Sequence, residues 1–371
     1  MAQEAVHNYG SIQVHGSTRI GFHMDLVNDG DFDQNSGLVG FYGFDRSIMV
    51  SGSNIPVFHD AEIAVDNGLY LNTQISITNN VNLIVGDVIT PRTNTDVFTN
   101  FMENAFYVGE NDVSLIDGYA AFTYKDSFTF PVGDDERLRP LGVTSEEADP
   151  FAKCAYFYED PNSPSAFAKS FETEKIASEY MSVSNREYWH LEGEALTTVT
   201  LTWDELSNIG SLAEFLGDLK VVGWHKEKGK WINLGNTNVK GSLVHGSVTS
   251  EPFLPNDYEI LTLGGNADTV AKFETIELDN YYMTPNGDGK NDYLVLDGIE
   301  ASPNNSLQIF NRYGVLVYSK ENYRNEFDGI SNRNMVISQN SGLATGIYFY
   351  IITMHDIRQR HQGYLYLSLK Q

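Results

Sequence analysis

Short apolar runs that alternate with polar residues dominate the first third of the chain and restrict it to β structure. Turn-forming Asn, Asp and Gly residues separate these runs, which occupy residues 63–65, 69–71, 74–77 and 81–85. Alternation with a period of two places successive side chains on opposite faces of a strand. We predict that residues 1–125 form either a sandwich or a small parallel β-solenoid, and the short, regular spacing favours solenoid coils.

Longer strands are predicted after residue 125, and residues 126–265 are expected to form a β-sandwich-like domain. The clearest strand alternates Val199, Leu201 and Trp203 with three threonines, so one face points to a core and the other to water. Three further segments interrupt this pattern. Two of them are predicted to be short helices and the last a linker, at residues 165–181, 211–216 and 264–268.

The C-terminal residues 266–371 return to strands, and we predict an immunoglobulin-like β-sandwich for them with a short linker at their start. The predicted strands cover residues 293–296, 307–310, 315–318, 347–353 and 364–369. In the last of these, Leu365, Leu367 and Leu369 alternate with Tyr364, Tyr366 and Ser368. The whole chain is therefore predicted to be all-β.

The charge of the chain is uneven and excludes two classes of partner. The net charge is −26, and residues 281–371 hold 8 acidic and 8 basic side chains, which leaves 42 acidic and 16 basic in the first 280 residues. Nucleic acids and anionic lipid surfaces require clustered Lys and Arg, so neither is expected as a partner. No run approaches the roughly 20 apolar residues of a membrane-spanning helix.

The first residues are those of an exported chain after processing. They lack the apolar core of a signal peptide, and an Ala-Gln start follows Met1. We expect that Met1 replaces a signal peptide that was removed.

Several motifs in the last 90 residues follow one another in a distinctive order. They lie at residues 284–292, 303–307, 309–314, 317–318, 327–329, 346–350 and 363–366. This segment resembles the gliding motility-associated C-terminal domain, the type B sorting domain of the type IX secretion system of Bacteroidetes. Two positions depart from the pattern of the family, because Met283 stands where Phe is usual and Tyr313 where Trp is commoner.

The resemblance implies a route of export and a set of partners. Proteins with such domains fold in the periplasm and leave through the type IX translocon, which recognises the C-terminal domain. Type B domains imply a PorP/SprF-type outer-membrane barrel protein as a partner. The resemblance further implies a location on the outer face of the outer membrane, or secretion, and a role in gliding motility or at the surface.

The candidate recognition residues lie in a strand and a loop of this domain. An exposed edge strand or an aromatic-rich face is a usable surface on such a fold. We predict that Tyr364 and Tyr366 form part of it, together with Asn286, Asp288 and Asp292 of the loop at residues 284–292.

The same loop offers a candidate calcium site, because oxygen-bearing side chains alternate with glycines in it. In that register Asn286, Asp288 and Asp292 are ligands, but position one falls on Thr284 and position twelve on Val295. The bidentate carboxylate is therefore missing. The alternative is a turn held by hydrogen bonds from side chains to the backbone, and we favour it.

The sequence carries no motif that indicates catalysis or a cofactor. It lacks a Gly-x-Ser-x-Gly elbow, a phosphate loop and a dinucleotide fingerprint, and its nine histidines form no pair at metal-ligand spacing. The only cysteine, Cys154, is predicted to be buried. Acidic residues at 134–136 and 146–149 are predicted to lie in solvated loops. Core packing, rather than a platform for sugars, is predicted for Trp189, Trp203, Trp224 and Trp231.

We therefore predict a non-enzymatic secreted protein with no catalytic residue, metal or cofactor. The main alternative is a glycan-binding adhesin that is exported by the same route. An exposed row of Trp or Tyr would support that alternative. An exported hydrolase is a third possibility and would need a pair of carboxylates in a cleft.

Overall fold

The chain is almost entirely β structure, as the sequence predicts, and it divides into two compact units. Unit 1 comprises residues 1–268 and unit 2 comprises residues 269–371. The computed structural model describes residues 5–134, 136–178, 181–213, 215–242, 244–266, 281–296, 299, 303–333, 342–354 and 359–368. Short 3-10 helices interrupt the strands at Glu205–Ser207, Ile209–Ser211, Leu216–Asp218 and Pro255–Asp257.

The N-terminal part of unit 1 is a parallel solenoid with two sheets, which decides between the two predicted folds. One sheet consists of β1 (Ala5–Asn8), β3 (Asp25–Asn28), β5 (Ile48–Ser51), β7 (Leu69–Leu71), β9 (Val88–Ile89), β12 (Ile116–Asp117) and β14 (Val132–Gly133). The other begins with β2 (Arg19–Phe22), β4 (Leu38–Gly43), β6 (Val57–Val65), β8 (Ile75–Val85), β10 (Thr99–Phe101) and β13 (Ala120–Phe130), and β8 also pairs with β11 (Phe106–Val108). Parallel pairing of Ala5 with Asp25 and of Arg19 with Leu38 gives coils of roughly 20 residues.

Inward-facing side chains of successive coils stack on one another and form the core of the solenoid. The rings of Phe22 and Phe41 lie 5.5 Å apart between centroids, and those of Phe41 and Phe58 lie 5.8 Å apart. All three are buried, and burial of each side chain stabilises the fold by about 1.5–3 kcal/mol. Beside them, the buried Asn8 amide donates a hydrogen bond of 2.7 Å to Asn28 Oδ1, so the polar groups of the coil are also paired.

Strand β13 joins the solenoid to the rest of unit 1. On one side it pairs in parallel with β10, with Thr99 opposite Ala120. On the other side it pairs antiparallel with β15 (Leu141–Phe157), with Ala120 opposite Cys154. The domain boundary predicted between residues 125 and 126 falls inside this strand, so one continuous sheet spans both segments. The change from short to longer predicted strands after residue 125 marks a change from parallel to antiparallel pairing.

The remainder of unit 1 is antiparallel. Its strands after β15 are β16 (Met181–Val183), β17 (Tyr188–Gly193), β18 (Thr197–Trp203), β19 (Lys220–His225), β20 (Lys230–Asn233), β21 (Asn238–Gly241), β22 (Gly246–Thr249) and β23 (Tyr258–Asn266). The first part of β15 pairs with β18 and its last part with β17. Trp189 of β17, Val199 of β18 and Leu261 of β23 share one hydrophobic cluster with the solenoid core. Cys154 is buried there, as predicted.

The two predicted helices are wrong. The described residues 165–178 contain turns and bends, and residues 211–216 contribute only to the ends of two 3-10 helices. Side chains hold the first segment in its irregular path, since Glu159 Oε2 accepts from the amide of Ser165 and Asn162 Oδ1 from that of Thr173, both at 2.9 Å. Such bonds offer the backbone an alternative to the helix.

Unit 2 contains a five-stranded sheet in its described part. In spatial order the strands are β24 (Tyr281–Met283), β28 (Gln359–Leu367), β27 (Gly346–Met354), β25 (Asn305–Asn311) and β26 (Leu316–Glu321). The pairing of β24 with β28 is parallel and the others are antiparallel. Segments outside the strands cover the inner face with Leu294, Tyr323, Phe327 and Leu343 and complete a separate hydrophobic core.

The linker predicted at residues 264–268 is wrong for its first three residues, which end strand β23. Residues 267 and 268 lie outside the described residues. Glycine is required at the end of β23 by close packing. A Cβ at Gly265 would lie 1.9 Å from the carbonyl oxygen of Leu212, and one at Gly264 would lie 2.5 Å from Cγ1 of Val222. The small residues that suggested a linker therefore serve a tight contact between strand and loop.

The Gly265→Ala variant tests this correction. Because the methyl group would displace the backbone at Leu212, we expect the melting temperature of unit 1 to fall by roughly 2–10 °C. Gly210→Ala is the matched control, since a Cβ there meets nothing within 4 Å. Differential scanning calorimetry of both purified variants measures the effect. Equal melting temperatures for Gly265→Ala and the unmodified chain would restore the linker interpretation.

Candidate functional site

The two predicted recognition residues of β28 lie on the outer face of the unit 2 sheet. Tyr364 is 44% exposed and Tyr366 is 42% exposed, whereas Leu365 and Leu367 are fully buried on the opposite face. The alternation predicted from the sequence is therefore confirmed for these four residues. Leu369, the last residue of the predicted strand, lies outside the described residues.

Neighbouring strands extend this surface with further apolar side chains. Cross-strand register places Tyr282 of β24 and Ile347 of β27 on either side of Tyr366, and Phe349 of β27 beside Tyr364. The rings of Tyr282 and Tyr366 stack at 5.7 Å with an interplanar angle of 7°, and those of Phe349 and Tyr364 lie 5.2 Å apart. All five are large apolar side chains exposed to solvent. We call this surface the aromatic face.

The position of β28 in the sheet decides which kind of surface it offers. Its backbone is hydrogen-bonded to β24 on one side and to β27 on the other, so β24 and β26 are the edges of the described sheet. An edge strand presents unpaired N–H and C=O groups to a partner, whereas an interior strand presents only side chains. Of the two predicted possibilities, the geometry of β28 is therefore that of a face.

Three members of the aromatic face were not predicted from the sequence. Tyr282 was missed because β24 is only three residues long. Ile347 and Phe349 were missed because they stand in the run Gly346–Met354, in which both faces carry apolar residues. Alternation places Ile347 and Phe349 on the outer face once Tyr348 and Tyr350 are known to be buried, but the sequence alone does not show which of the two sets is buried.

The loop at residues 284–292 is held by its own side chains, as the turn interpretation predicts. Asp292 Oδ1 accepts hydrogen bonds from the amides of Asn286 and Gly287 at 3.0 and 2.8 Å, and its Oδ2 accepts from Gly289 at 2.8 Å. Asn286 Oδ1 accepts from the amide of Asp288 at 3.0 Å. Gly287 and Gly289 have positive φ values of 77° and 83°, which explains why glycine stands at both positions.

These bonds determine the electrostatics of the loop. The N–H groups of Gly287 and Gly289 stabilise the ionised Asp292 carboxylate and hold its pKa below the usual range. Within the described residues, no group of three or more His, Cys, Asp or Glu side chains is arranged to hold a metal ion. That Asn286, Asp288 and Asp292 bind no calcium stays a prediction.

The tryptophans of unit 1 are buried, and several of its carboxylates form hydrogen bonds or ion pairs within the fold. Trp189, Trp203, Trp224 and Trp231 are all buried, which confirms core packing. The loop predicted at residues 146–149 is wrong, because these residues belong to β15, and Asp149 is not solvated but only 4% exposed. Its carboxylate accepts hydrogen bonds from the amides of Phe151, Glu194 and Ala195 at 2.9–3.1 Å.

Fold and surface together define an all-β chain of two units, the second of which carries an exposed aromatic face on its own core. Residues 276–367 match the family model of the CHU_C type IX secretion signal domain. The C-terminal unit is therefore the sorting domain that the sequence predicts, and it implies export by the type IX machinery to a secreted or cell-surface location. No curated protein and no solved structure matches the chain. In the part of the chain that the structure describes, every helix is too short or too polar to cross a membrane.

The lowered pKa of Asp292 predicts the acid behaviour of its loop. The hydrogen bonds are complete above the unfolded pKa of about 3.9 and are lost as the pH falls through the lower folded pKa. In an NMR titration, we expect the amide proton shifts of Gly287 and Gly289 to change together at a midpoint below about 3.9.

The Asp292→Asn variant should abolish this shared transition, whereas Asp288→Asn, which leaves the three bonds of Asp292 in place, should retain it. A midpoint at or above the ordinary pKa of Asp, or a transition that survives in Asp292→Asn, would contradict the assignment.

Proposed function

We propose that the aromatic face is the surface by which the type IX machinery recognises this protein. The observation that supports the proposal is the cluster of five exposed apolar side chains on an otherwise complete β-sheet. Contiguous exposed apolar surface is unusual in a soluble domain and marks sites of interaction. Tyr and Phe are enriched at such sites, because a rigid ring buries a large area at a small cost in conformational entropy.

Contacts between the rings support the same role. The pairs Tyr282–Tyr366 and Phe349–Tyr364 restrict the side chains before a partner binds. Less side-chain freedom is then lost on binding, which strengthens the complex. Residues 281–371 hold equal numbers of acidic and basic side chains, so shape and apolar contact are expected to outweigh long-range charge in this interaction.

The proposed partner is a PorP/SprF-type barrel protein of the outer membrane, acting with the translocon, and the proposed location is the outer face of that membrane. We further propose that unit 1 is non-enzymatic and serves as a surface or gliding-motility component. Support comes from the way in which its carboxylates are used, since Asp117, Asp204 and Glu187 form ion pairs with arginines and Asp149 binds backbone amides. The role of the loop residues Asn286, Asp288 and Asp292 in recognition stays a prediction.

Export of a double variant, Tyr364→Ser with Tyr366→Ser, tests the recognition surface. Both side chains point away from the core, so we expect the purified variant to melt within a few degrees of the unmodified chain. Its amount at the surface of intact cells should fall at least tenfold, while folded protein collects in the periplasm. Tyr313→Ser is the matched control, because Tyr313 is 73% exposed in the same unit and lies outside the aromatic face. Surface proteolysis and cell fractionation provide the measurement, and unchanged export of the folded double variant would refute the proposal.

Removal of residues 280–371 separates recognition from the folding of unit 1. Since unit 1 has its own core, the truncated protein should be folded and retained in the periplasm.

Conversely, residues 266–371 fused behind a fluorescent protein with a signal peptide should carry it to the surface when the barrel partner is present. Secretion of the truncated chain at normal levels would exclude a sorting role for unit 2.

A further inference from the structure

The outer face of the second solenoid sheet carries a polar groove that the export function does not use. The groove encloses about 440 Å³ and runs across strands β2, β4, β6, β8 and β11. Five strands at the usual spacing give it a length of roughly 19 Å along the solenoid axis. The lining residues used below are Arg19, Asp60, Glu62, Asn79, Asn80 and Phe106.

Parallel register builds the groove as a continuous row of side chains. Arg19 is opposite Leu38, Leu38 is opposite Asp60, and Asp60 and Phe106 are both opposite Asn80. A charged group therefore stands at one end of the row, and an aromatic ring that is 49% exposed stands at the other. Carboxylate and amide groups lie between them.

Two glycines of the same sheet lie beside this row. Gly21 and Gly40 are opposite each other, and the ring of Tyr42 lies over both, 2.3 Å from where a Cβ of Gly40 would be. The Tyr42 hydroxyl donates to Glu62, and burial raises the pKa of Tyr42 to about 12, so it remains a donor at neutral pH. The flat ring therefore fills the space that side chains at these two positions would occupy.

Hydrogen bonds hold the polar groups of the groove in place. Asn79 Nδ2 donates to Asp60 Oδ1 at 2.6 Å, and Asn82 Nδ2 donates to Glu62 Oε1 at 3.3 Å. Both carboxylates are thereby tied to neutral amides. Asn80 Oδ1 is buried and has no hydrogen-bond partner among the described residues, which is unusual for a polar atom.

We propose that this groove binds a neutral linear glycan. A sugar chain offers hydroxyl groups that both donate and accept, which is what a row of carboxylates and amides requires, and an apolar ring face that can stack on Phe106. The net charge of −26 and the acidic groups Asp60 and Glu62 repel anionic polymers. The row across five strands matches an extended ligand better than a compact one.

Affinity electrophoresis of the full chain in gels that contain a neutral β-glucan, mannan or xylan tests the proposal. We expect at least one of the three to retard the unmodified protein, and polygalacturonate to have no effect. Phe106→Ala and Asp60→Asn should each weaken this binding about tenfold. Phe44→Ala, at a residue 87% exposed outside the groove, and Asp126→Asn, at an exposed carboxylate, should bind as the unmodified chain does.

Thermal melts of all four variants exclude loss of folding as the cause. Absence of retardation by every neutral polysaccharide would overturn the proposal, as would equal retardation of Phe106→Ala, Asp60→Asn and the controls. Retardation by poly-lysine alone would also overturn it and would indicate a basic peptide as the ligand.

Discussion

A buried ion pair at the end of the solenoid is the interaction on which unit 1 depends most. Arg139 Nη2 lies 2.6 Å from Glu187 Oε2, and the two side chains are 3% and 0% exposed. Burial disfavours the charged guanidinium, but Glu187, Tyr156 and Asp204 together outweigh it and hold the pKa of Arg139 above its ordinary value. The Tyr156 hydroxyl donates to the same carboxylate oxygen at 2.6 Å. Loss of one partner would leave an uncompensated buried charge, at a cost of about 3–5 kcal/mol.

Arg92 connects the strand that carries Tyr156 to the solenoid. It bonds to Asp117 at 2.7 Å, lies 3.1 Å from Asp134, and donates to the carbonyl of Tyr156 at 3.0 Å. Asp117 belongs to the solenoid strand β12 and Tyr156 to the antiparallel strand β15, so a single side chain joins the two parts. Strand β13 also pairs with both parts, in parallel with β10 and antiparallel with β15. These contacts explain why the short solenoid strands and the longer antiparallel strands form one compact unit.

The sequence predicted the fold class and two of the five members of the aromatic face because both depend on alternation, which is local. Tyr364 and Tyr366 were found because they alternate with leucines, whereas Phe349 lies in a strand that is apolar on both faces. The shared strand β13 could not be predicted, since pairing direction depends on residues as distant as Thr99 and Cys154. Gly265 was wrongly assigned to a linker because glycine is needed there to make room for the Leu212 carbonyl. That carbonyl comes close to Gly265 only in the folded chain.

Alternation has a further consequence in unit 2, because it lets one strand contribute to the core and to an exposed face at the same time. Leu365 and Leu367 belong to the core, while Tyr364 and Tyr366 between them belong to the aromatic face. Under the proposed function, folding and recognition are assigned to separate side chains along the same backbone. Unit 2 has a hydrophobic core of its own, so the proposed recognition by this face is expected to need no residue of unit 1. The proposed glycan groove beside Phe106 lies in unit 1 and is lined by residues that the aromatic face does not use.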